Sequence, residues 1–408
     1  MKFLRLFLLC VLVASCSSDS PEPEPEGNPN PPNENPDNPD GETPPEPEEF
    51  LYPYEVTVIN FDRGAETEQQ FDRNGEFVQT VDINSELQLG PDGFTGNFSL
   101  FPPEYSFART RTPGRISFRN TATDVNEVIQ PYCSSESFDA GAAFSSSAQF
   151  TGHLFFGGMG NARIDVFSRQ ENSCTTLEFP EYNQFYRFRI NENVMIVDNG
   201  QLPFIFPDGE RLLYFVDLNT LETYDTLAVS DDFDALAING DELYLIYVIT
   251  NTEVEYEVRN LATLEILTPR TPTSFFPPNG PFLSGQWNQD TFYYDVPGAG
   301  PGPFALLPGK FDFSDDTFEV ADLGALLTAF QDDYFEQNGN IPLGFSFTTS
   351  QFDPVSEDLV LGFQLTEDPC GCQNFTGGIL FTNFDAAEYL AYYIDPVPGA
   401  ILVDFSGN

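Results

Sequence analysis

The chain has 408 residues, of which 64 are acidic and 16 are basic, so its formal net charge is −48 at pH 7. A negative field of this size excludes nucleic acid as a partner and repels anionic lipid headgroups and acidic polymers. The chain has a single histidine, which excludes zinc sites built from several histidines and leaves only one residue for a His-centred catalytic triad.

Residues 1–15 have the pattern of a secretory signal peptide. Lys2 and Arg5 precede an apolar run over residues 6–14 and a small residue, and the run is too short to span a bilayer, which needs about 20 residues. The next motif, Val13-Ala-Ser-Cys16, resembles the lipobox of bacterial lipoproteins. This resemblance implies cleavage before Cys16, diacylglycerol on its sulfur and acylation of the new amine. Two or three acyl chains anchor a protein stably in a membrane.

Residues 17–49 contain no Val, Ile, Leu, Met or aromatic residue and consist mainly of Pro, Glu, Asp, Asn and Ser. A segment with nothing to bury stays solvated, and its prolines and like charges keep it extended. At about 3.1 Å per residue it could hold a domain up to about 100 Å from the lipid. Signal removal takes Lys2 and Arg5, leaving 14 basic residues and a charge near −50. The sequence therefore predicts a signal peptide (1–15), a lipidated Cys16 with a disordered tether (16–49) and one folded domain (50–408).

Two features predict the location of the protein. Ser17 follows the lipidated Cys16, which resembles lipoproteins released to the outer membrane. The acidic stretch after it resembles the surface-export signals of Bacteroidota lipoproteins, although the match is partial. The resemblances imply an outer-membrane lipoprotein at the cell surface, with the periplasmic face as the alternative.

A hairpin motif recurs along the folded region. Val216-Asp-Leu-Asn-Thr-Leu-Glu222 returns as Val258-Arg-Asn-Leu-Ala-Thr-Leu-Glu265, and each copy lies between runs of alternating apolar residues. Alternation around a short polar turn predicts a β-hairpin, and its recurrence predicts a repeat architecture. Related marks lie at Asn120, Asp165, Asp312 and Asn383.

A second strand pair precedes each mark, most clearly over residues 235–247 with a tight turn at Asn239-Gly240. Four strands in a unit of about 40 to 55 residues describe a β-propeller blade. The Gly240 turn, the Leu-Tyr after it and the Asp-Leu-Asn-Thr hairpin resemble YVTN and PQQ-like propeller repeats. With residues 54–89 as a further unit, the prediction is an all-β propeller of seven blades. Six blades and a tandem β-sandwich are the alternatives.

One helix is predicted within this all-β region. Leu323, Leu326, Leu327, Phe330 and Tyr334 follow helical spacing. We expect a short helical insertion, within a blade or between two, whose apolar stripe packs into the core.

Four cysteines, Cys133, Cys174, Cys370 and Cys372, remain after Cys10 and Cys16 are set aside. An even number in an exported chain indicates disulfides, and four cysteines allow three connectivities. Cys133 and Cys174 are one predicted blade apart, so we pair them, and we pair Cys370 with Cys372 across Gly371. The alternative for Cys-Gly-Cys is a redox or metal motif, which the absence of a nearby histidine disfavours.

The loops after the second strand of a blade are the predicted ligand face. Gly157-Gly-Met-Gly-Asn-Ala-Arg163 leads into a strand and not into a helix, so it does not form a phosphate loop. In propellers such loops, together with the loops between blades, line one face of the central channel. The candidate ligand-face residues are Asn161, Arg163, Asn251, Glu253, Phe275 and Phe276.

No catalytic set stands out. His153 alternates within a strand and is predicted to be structural, and no Gly-x-Ser-x-Gly elbow is present. Acid pairs such as Asp231-Asp232 and Asp315-Asp316 are compatible with calcium binding or glycoside hydrolysis, but 64 acids produce such pairs by chance.

The predicted function is that of a lipid-anchored, non-enzymatic binding or scaffolding propeller that needs no cofactor. The alternatives are a carboxylate-dependent carbohydrate-active enzyme and a subunit of an outer-membrane transport or assembly complex. The expected partners are the membrane, through the lipid anchor, and an outer-membrane protein or a glycan.

Overall fold

Alternating apolar strands of the folded region pair into antiparallel sheets of four. The computed structural model describes residues 54–61, 66–89, 97–101, 104–108, 115–129, 133, 144–155, 162–179, 187–200, 210–250, 253–275, 282–283, 285–297, 306–339, 342, 344–366, 375–385, 388–395 and 397–405. Within these ranges the strands form seven four-stranded sheets, so the predicted seven-bladed propeller is confirmed over the six-bladed and sandwich alternatives.

The blades follow one another along the chain. Blade 1 contains β1 (Glu55–Asn60), β2 (Thr67–Phe71), β3 (Phe77–Asp82) and β28 (Ala400–Asp404). Blade 2 contains β4 (Asn97–Phe101), β5 (Glu104–Ala108), β6 (Ile116–Asn120) and β7 (Val125–Ile129). Blade 3 contains β8 (Phe144–Ser146), β9 (Phe150–Phe155), β10 (Ala162–Ser168) and β11 (Ser173–Phe179). Blade 4 contains β12 (Arg187–Asn191), β13 (Val194–Asp198), β14 (Arg211–Asp217) and β15 (Glu222–Val229).

The remaining blades complete the ring. Blade 5 contains β16 (Phe233–Asn239), β17 (Glu242–Thr250), β18 (Glu253–Asn260) and β19 (Ile266–Thr273). Blade 6 contains β20 (Gly285–Asn288), β21 (Thr291–Pro297), β22 (Leu306–Asp312) and β23 (Thr317–Val320). Blade 7 contains β24 (Gly344–Phe352), β25 (Asp358–Thr366), β26 (Phe375–Asn383) and β27 (Leu390–Ile394). Helix α1 (Ile83–Glu86) follows β3, and helix α2 (Leu323–Asn338) lies between blades 6 and 7 in the chain.

The two ends of the folded region share blade 1. The last strand, β28, pairs antiparallel with β1, from Glu55 opposite Asp404 to Ile59 opposite Ala400. In the other blades the strands run from the centre of the ring outward in chain order, and neighbouring inner strands such as β4, β8 and β12 contact one another. The ring is therefore closed by hydrogen bonds between its first and last strands.

The core consists of apolar layers between adjacent blades. Middle strands such as β17 and β25 are buried over consecutive residues, because a blade packs against a neighbour on each of its two faces. One layer joins Val360 and Phe381 of blade 7 to Val58 and Ile401 of blade 1. The stacking of blades, and not any single blade, thus buries the apolar side chains.

The repeated Asp or Asn of the hairpin motif shapes the turn between the third and fourth strands. Asp217 Oδ1 accepts a hydrogen bond from the Asn219 amide at 2.9 Å, and Asn260 Oδ1 accepts one from the Thr263 amide at 2.9 Å. Such side-chain bonds imitate a backbone turn. In blade 3, by contrast, β10 continues past Asp165 to Ser168, so the position predicted for that turn is wrong by three residues.

Helix α2 fits the predicted helical insertion. Asp322 caps its first turn by accepting a hydrogen bond from the Gly324 amide at 3.2 Å, and Gly339 ends it with a left-handed φ of 77°. Phe330 and Tyr334 share one core cluster with Tyr293 of blade 6 and Phe363 of blade 7. The helix is therefore packed between these two blades, as its apolar stripe predicts.

A disulfide joins Cys133, which follows blade 2, to Cys174 in the outer strand β11 of blade 3, with their Cα atoms 5.1 Å apart. This is the pair that a separation of one blade indicates. Cys16, Cys370 and Cys372 lie outside the described residues.

No helix in the described ranges is both long enough and apolar enough to cross a membrane.

Candidate functional site: the central channel

A cavity of about 1280 Å³ lies at the centre of the ring, where the inner strands of the blades meet, and is called the central channel below. Its wall is formed mainly by the inner strands of blades 2, 3, 4, 6 and 7, together with Phe282 of the segment Phe282–Leu283. That segment lies parallel to β16, where the Leu283 amide donates to the Leu236 carbonyl at 2.8 Å. It therefore stands between blade 5 and the channel.

Small hydroxyl side chains line the side formed by blades 2, 3 and 4. The Ser146 hydroxyl donates to Ser99 Oγ at 3.1 Å, and Ser145 Oγ accepts a hydrogen bond from the Ile190 amide at 3.0 Å. Serine fits here because inner strands approach closely and a small side chain leaves space at the axis. The polar groups of the wall include Ser99, Ser145, Ser146, Arg189, Gln286, Ser350 and Gln351.

Aromatic rings are mixed with these polar groups. Phe98, Phe144 and Phe282, which are partly exposed, also contribute to the wall. A mixture of ring faces and a few hydrogen-bonding groups is typical of sites that bind small organic molecules.

Arg189 contributes a positive charge to the channel. Its neighbours Phe188 and Ile190 point into the core layer between blades 3 and 4, so the alternation of β12 directs Arg189 to the opposite face. Its Nη1 donates to the Leu283 carbonyl at 2.5 Å. Burial among the surrounding atoms lowers the pKa of the Arg189 guanidinium, but an arginine in a protein stays protonated.

Asp295 contributes a carboxylate. It lies in β21 of blade 6, and its Oδ1 accepts a hydrogen bond from the Ser350 hydroxyl at 2.6 Å. Burial raises the pKa of Asp295, while the hydroxyl bond acts in the opposite direction. Glu192, in the exposed turn after β12, is a second carboxylate of the wall.

The predicted ligand-face residues that the structure describes do not form this wall. Arg163 lies in β10 with its Nε 3.5 Å from Oδ1 of the buried Asp165, and Glu253 is the exposed first residue of β18. Phe275 is 1% exposed and packs against Phe311 and Phe313, so it is a core residue and offers no ligand surface. Asn161, Asn251 and Phe276 lie outside the described residues.

The single histidine is also a core residue. His153 is 1% exposed, and its ring meets Phe144 edge to face with centroids 6.0 Å apart. Burial lowers its pKa to about 3, which leaves the imidazole neutral near pH 7. Within the described ranges no group of three or more His, Cys, Asp or Glu side chains has the arrangement of a metal site.

The sequence analysis missed the residues of the channel wall. The one available sign was Arg189 itself, an arginine between the apolar Phe188 and Ile190. Nothing in the sequence indicates that Ser99, Gln286 and Asp295 line the channel. Their place at the axis follows only from the closure of the ring.

No protein-family model and no curated protein matches this sequence. Among solved structures, the chain is similar to apo AztD from Citrobacter koseri (11% identity, 86% of this chain and 98% of that chain, TM-score 0.47). It is also similar to the β-propeller domain of the Trilobed protease from Pyrococcus furiosus (9%, 73% and 82%, 0.41) and to TolB from Acinetobacter baumannii (12%, 86% and 82%, 0.37). At these identities and TM-scores the likenesses carry no argument about function, and the fold rests on the strand pairing described above.

Proposed function

We propose that this protein is a lipid-anchored lipoprotein of the bacterial cell envelope whose propeller is a non-enzymatic binding or scaffolding module. The observation that carries the proposal is the central channel of about 1280 Å³ with its polar and aromatic wall. The Val13-Ala-Ser-Cys16 motif and the Pro-rich acidic residues 17–49 support the anchor and the tether.

Binding is favoured over catalysis by the chemistry of the wall. A nucleophilic hydroxyl needs a base within hydrogen-bonding distance. Ser99 and Ser146 instead bond to each other, and His153 is buried in blade 3 and does not line the wall. Ser350 has the Asp295 carboxylate at 2.6 Å, but no histidine is available to act with this pair. The described wall thus offers fixed hydrogen-bonding groups and charges, which suit recognition of a ligand.

The anchor is tested by metabolic labelling with a palmitate analogue. We expect the wild-type protein to be labelled and to fractionate with membranes, and the Cys16→Ala variant to lose both properties. Cys10→Ala is the matched control, because it removes the other cysteine that precedes the tether and should leave labelling unchanged. Labelling that persists in Cys16→Ala would refute the anchor. Protease digestion of intact cells then separates surface display from a periplasmic position.

The binding role is tested by crosslinking intact cells and identifying what co-purifies with the tagged protein. A recurrent outer-membrane protein would support a scaffolding role within a transport or assembly complex. Its absence would direct the search to soluble ligands and glycans. Turnover of a polysaccharide or an ester by the purified protein would contradict a non-enzymatic role.

A carboxylate-dependent carbohydrate-active enzyme is the second candidate, and Asp295 is the observation that favours it. A carboxyl group with a raised pKa in a channel has the property required of a general acid. If this function is correct, Asp295→Asn abolishes hydrolysis in an oligosaccharide screen without lowering the melting temperature. Asp231→Asn, at an exposed position, is the control and should leave hydrolysis unchanged.

A further inference from the structure

Arg189 differs from most other arginines of the described region, which have a carboxylate partner, and from Arg187, which has none but is exposed at the start of the same strand. Arg119 has a carboxylate oxygen of Glu68 at 2.6 Å, and Arg211 has one of Asp198 at 2.8 Å. Arg169, Arg259 and Arg270 also form ion pairs. For Arg189, no carboxylate of the described residues lies within ion-pair distance, although the chain carries four acidic residues for every basic one.

The guanidinium is nevertheless held in place. Its Nη1 donates to the Leu283 carbonyl, and the Leu283 amide is itself bonded to β16. The remaining donors, at Nε and Nη2, form no hydrogen bond with the described residues, and the side chain is partly exposed to the channel. A partly desolvated positive charge that lacks a negative partner is energetically unfavourable. An anion bound beside the Arg189 guanidinium would remove this cost.

The rest of the wall limits which anion fits. A carboxylate accepts two parallel hydrogen bonds from a guanidinium, and the serine and glutamine side chains of the wall bind hydroxyl groups. The exposed carboxylate of Glu192 repels a second negative charge, and the net charge of −48 repels polyanions. The aromatic rings offer apolar surface to a ring-shaped ligand.

We propose that the central channel binds a small hydroxylated monocarboxylate, with the chemistry of an acidic sugar, and that Arg189 pairs with its carboxylate. The inference deepens the proposed binding role, on which it rests, by naming the class of ligand and the residue that selects it. Arg189 is then a specificity residue, since it distinguishes an acidic sugar from its neutral counterpart.

The test compares acidic and neutral sugars on the full-length mature protein in detergent. D-glucuronate and D-galacturonate are titrated against D-glucose and D-galactose, and dissociation constants are measured by ligand-observed NMR. We expect the wild-type protein to bind the uronates at least tenfold more tightly than the neutral sugars. This comparison needs no variant, so it decides the proposal even if a substitution at Arg189 disturbs folding.

Variants then assign the effect to Arg189. Arg189→Gln should weaken uronate binding at least tenfold and leave neutral-sugar binding unchanged, and Arg189→Lys should restore part of the loss. Arg187→Gln is the matched control. It removes the same charge from an exposed position in the same strand, and uronate binding should stay within about twofold of the wild type, as expected for a screened surface charge.

The outcomes separate this inference from the broader proposal. Equal binding of acidic and neutral sugars, or uronate binding that survives Arg189→Gln, overturns the role of Arg189 and leaves a binding channel in place. A folded wild-type protein that binds no uronate overturns the inference altogether. The crosslinking experiment still decides the scaffolding role in that case. A protein that neither binds sugars nor captures a partner would refute both.

Discussion

Glu68 and Arg119 form an ion pair buried between blades 1 and 2, with side-chain exposures of 0% and 1%. Arg119 donates from Nε and Nη2 to the two oxygens of Glu68 at 2.6 and 2.8 Å, and the Tyr105 hydroxyl donates to Oε2 at 2.6 Å. Burial, followed by the charge of Glu68, raises the pKa of Tyr105, so its hydroxyl remains a donor. The pair therefore fixes the positions of two adjacent blades.

Substitution of one partner of this ion pair should destabilise the fold, because the other partner then remains as a buried charge without a counter-charge. We expect Arg119→Met to lower the free energy of unfolding by about 3 to 5 kcal/mol, because Glu68 is left without its counter-charge. The double variant Glu68→Gln, Arg119→Met should recover part of this loss. Urea denaturation of the three proteins measures the effect, and a single variant as stable as the wild type would contradict the assignment.

The neutral state of His153 has a consequence for stability at acid pH. Its pKa is about 3 in the folded protein and about 6.5 in an unfolded chain. Between these values the unfolded state binds the extra proton, so the contribution of His153 to stability is complete above about pH 6.5 and is lost as pH falls towards 3.

The comparison of wild type with His153→Gln isolates this contribution from the many acids. The stability of the wild type relative to the variant should be constant above about pH 6.5. Below that pH it should decline by up to about 1.4 kcal/mol per unit. Urea unfolding between pH 4 and 8 provides the measurement. A difference that does not change with pH would show that His153 is not buried in its neutral form.

At the scale of elements, helix α2 offers two phenylalanines in contrasting environments. Phe330 is 1% exposed between blades 6 and 7, whereas Phe335 on the same helix is 50% exposed. We expect Phe330→Ala to lower the free energy of unfolding by about 3 to 5 kcal/mol through the cavity it leaves. Phe335→Ala should change it by less than about 0.5 kcal/mol. Similar effects of the two substitutions in urea denaturation would mean that the helix is not packed as described.

The elements that the sequence predicted correctly are those specified by neighbouring residues. The turn at Asp217 depends on its own side chain and the amide of Asn219, and helix α2 depends on an apolar period and its caps. The turn of blade 3 was misplaced because Asp165 is buried and accepts a hydrogen bond from Thr176. There the turn amide of Glu171 bonds to Ser168 instead.

The channel wall could not be predicted for a different reason. Alternation assigns the residues of a strand to two faces, but it does not say which inner-strand residues meet at the axis. Ser99 of blade 2 and Ser350 of blade 7 are far apart in the sequence, and only the closure of the ring brings them to one cavity. The sequence also gives no local sign that Phe282–Leu283 lies between blade 5 and the channel.

At the scale of the whole molecule, ring closure depends on the last strand. A chain that ends before Ala400 lacks Ile401 and Val403 from the core layer with blade 7, and it leaves β1 as an open edge. We expect this truncation to remove cooperative unfolding and to cause aggregation in size-exclusion chromatography. Deletion of residues 406–408, after β28, is the control and should keep the wild-type elution volume and urea midpoint. A truncated chain that remains monomeric and equally stable would contradict closure by β28.

The position of β1 also determines how the molecule carries mechanical load. The chain enters the ring at β1, and β1 is not an edge strand, because β2 pairs with one side of it and β28 with the other. A pull on the segment that precedes β1 loads both ladders at once along the strand. Hydrogen bonds loaded in parallel share the force, whereas a peeled edge strand breaks them one at a time. The same pairing that closes the ring therefore divides a load applied at β1 between two ladders.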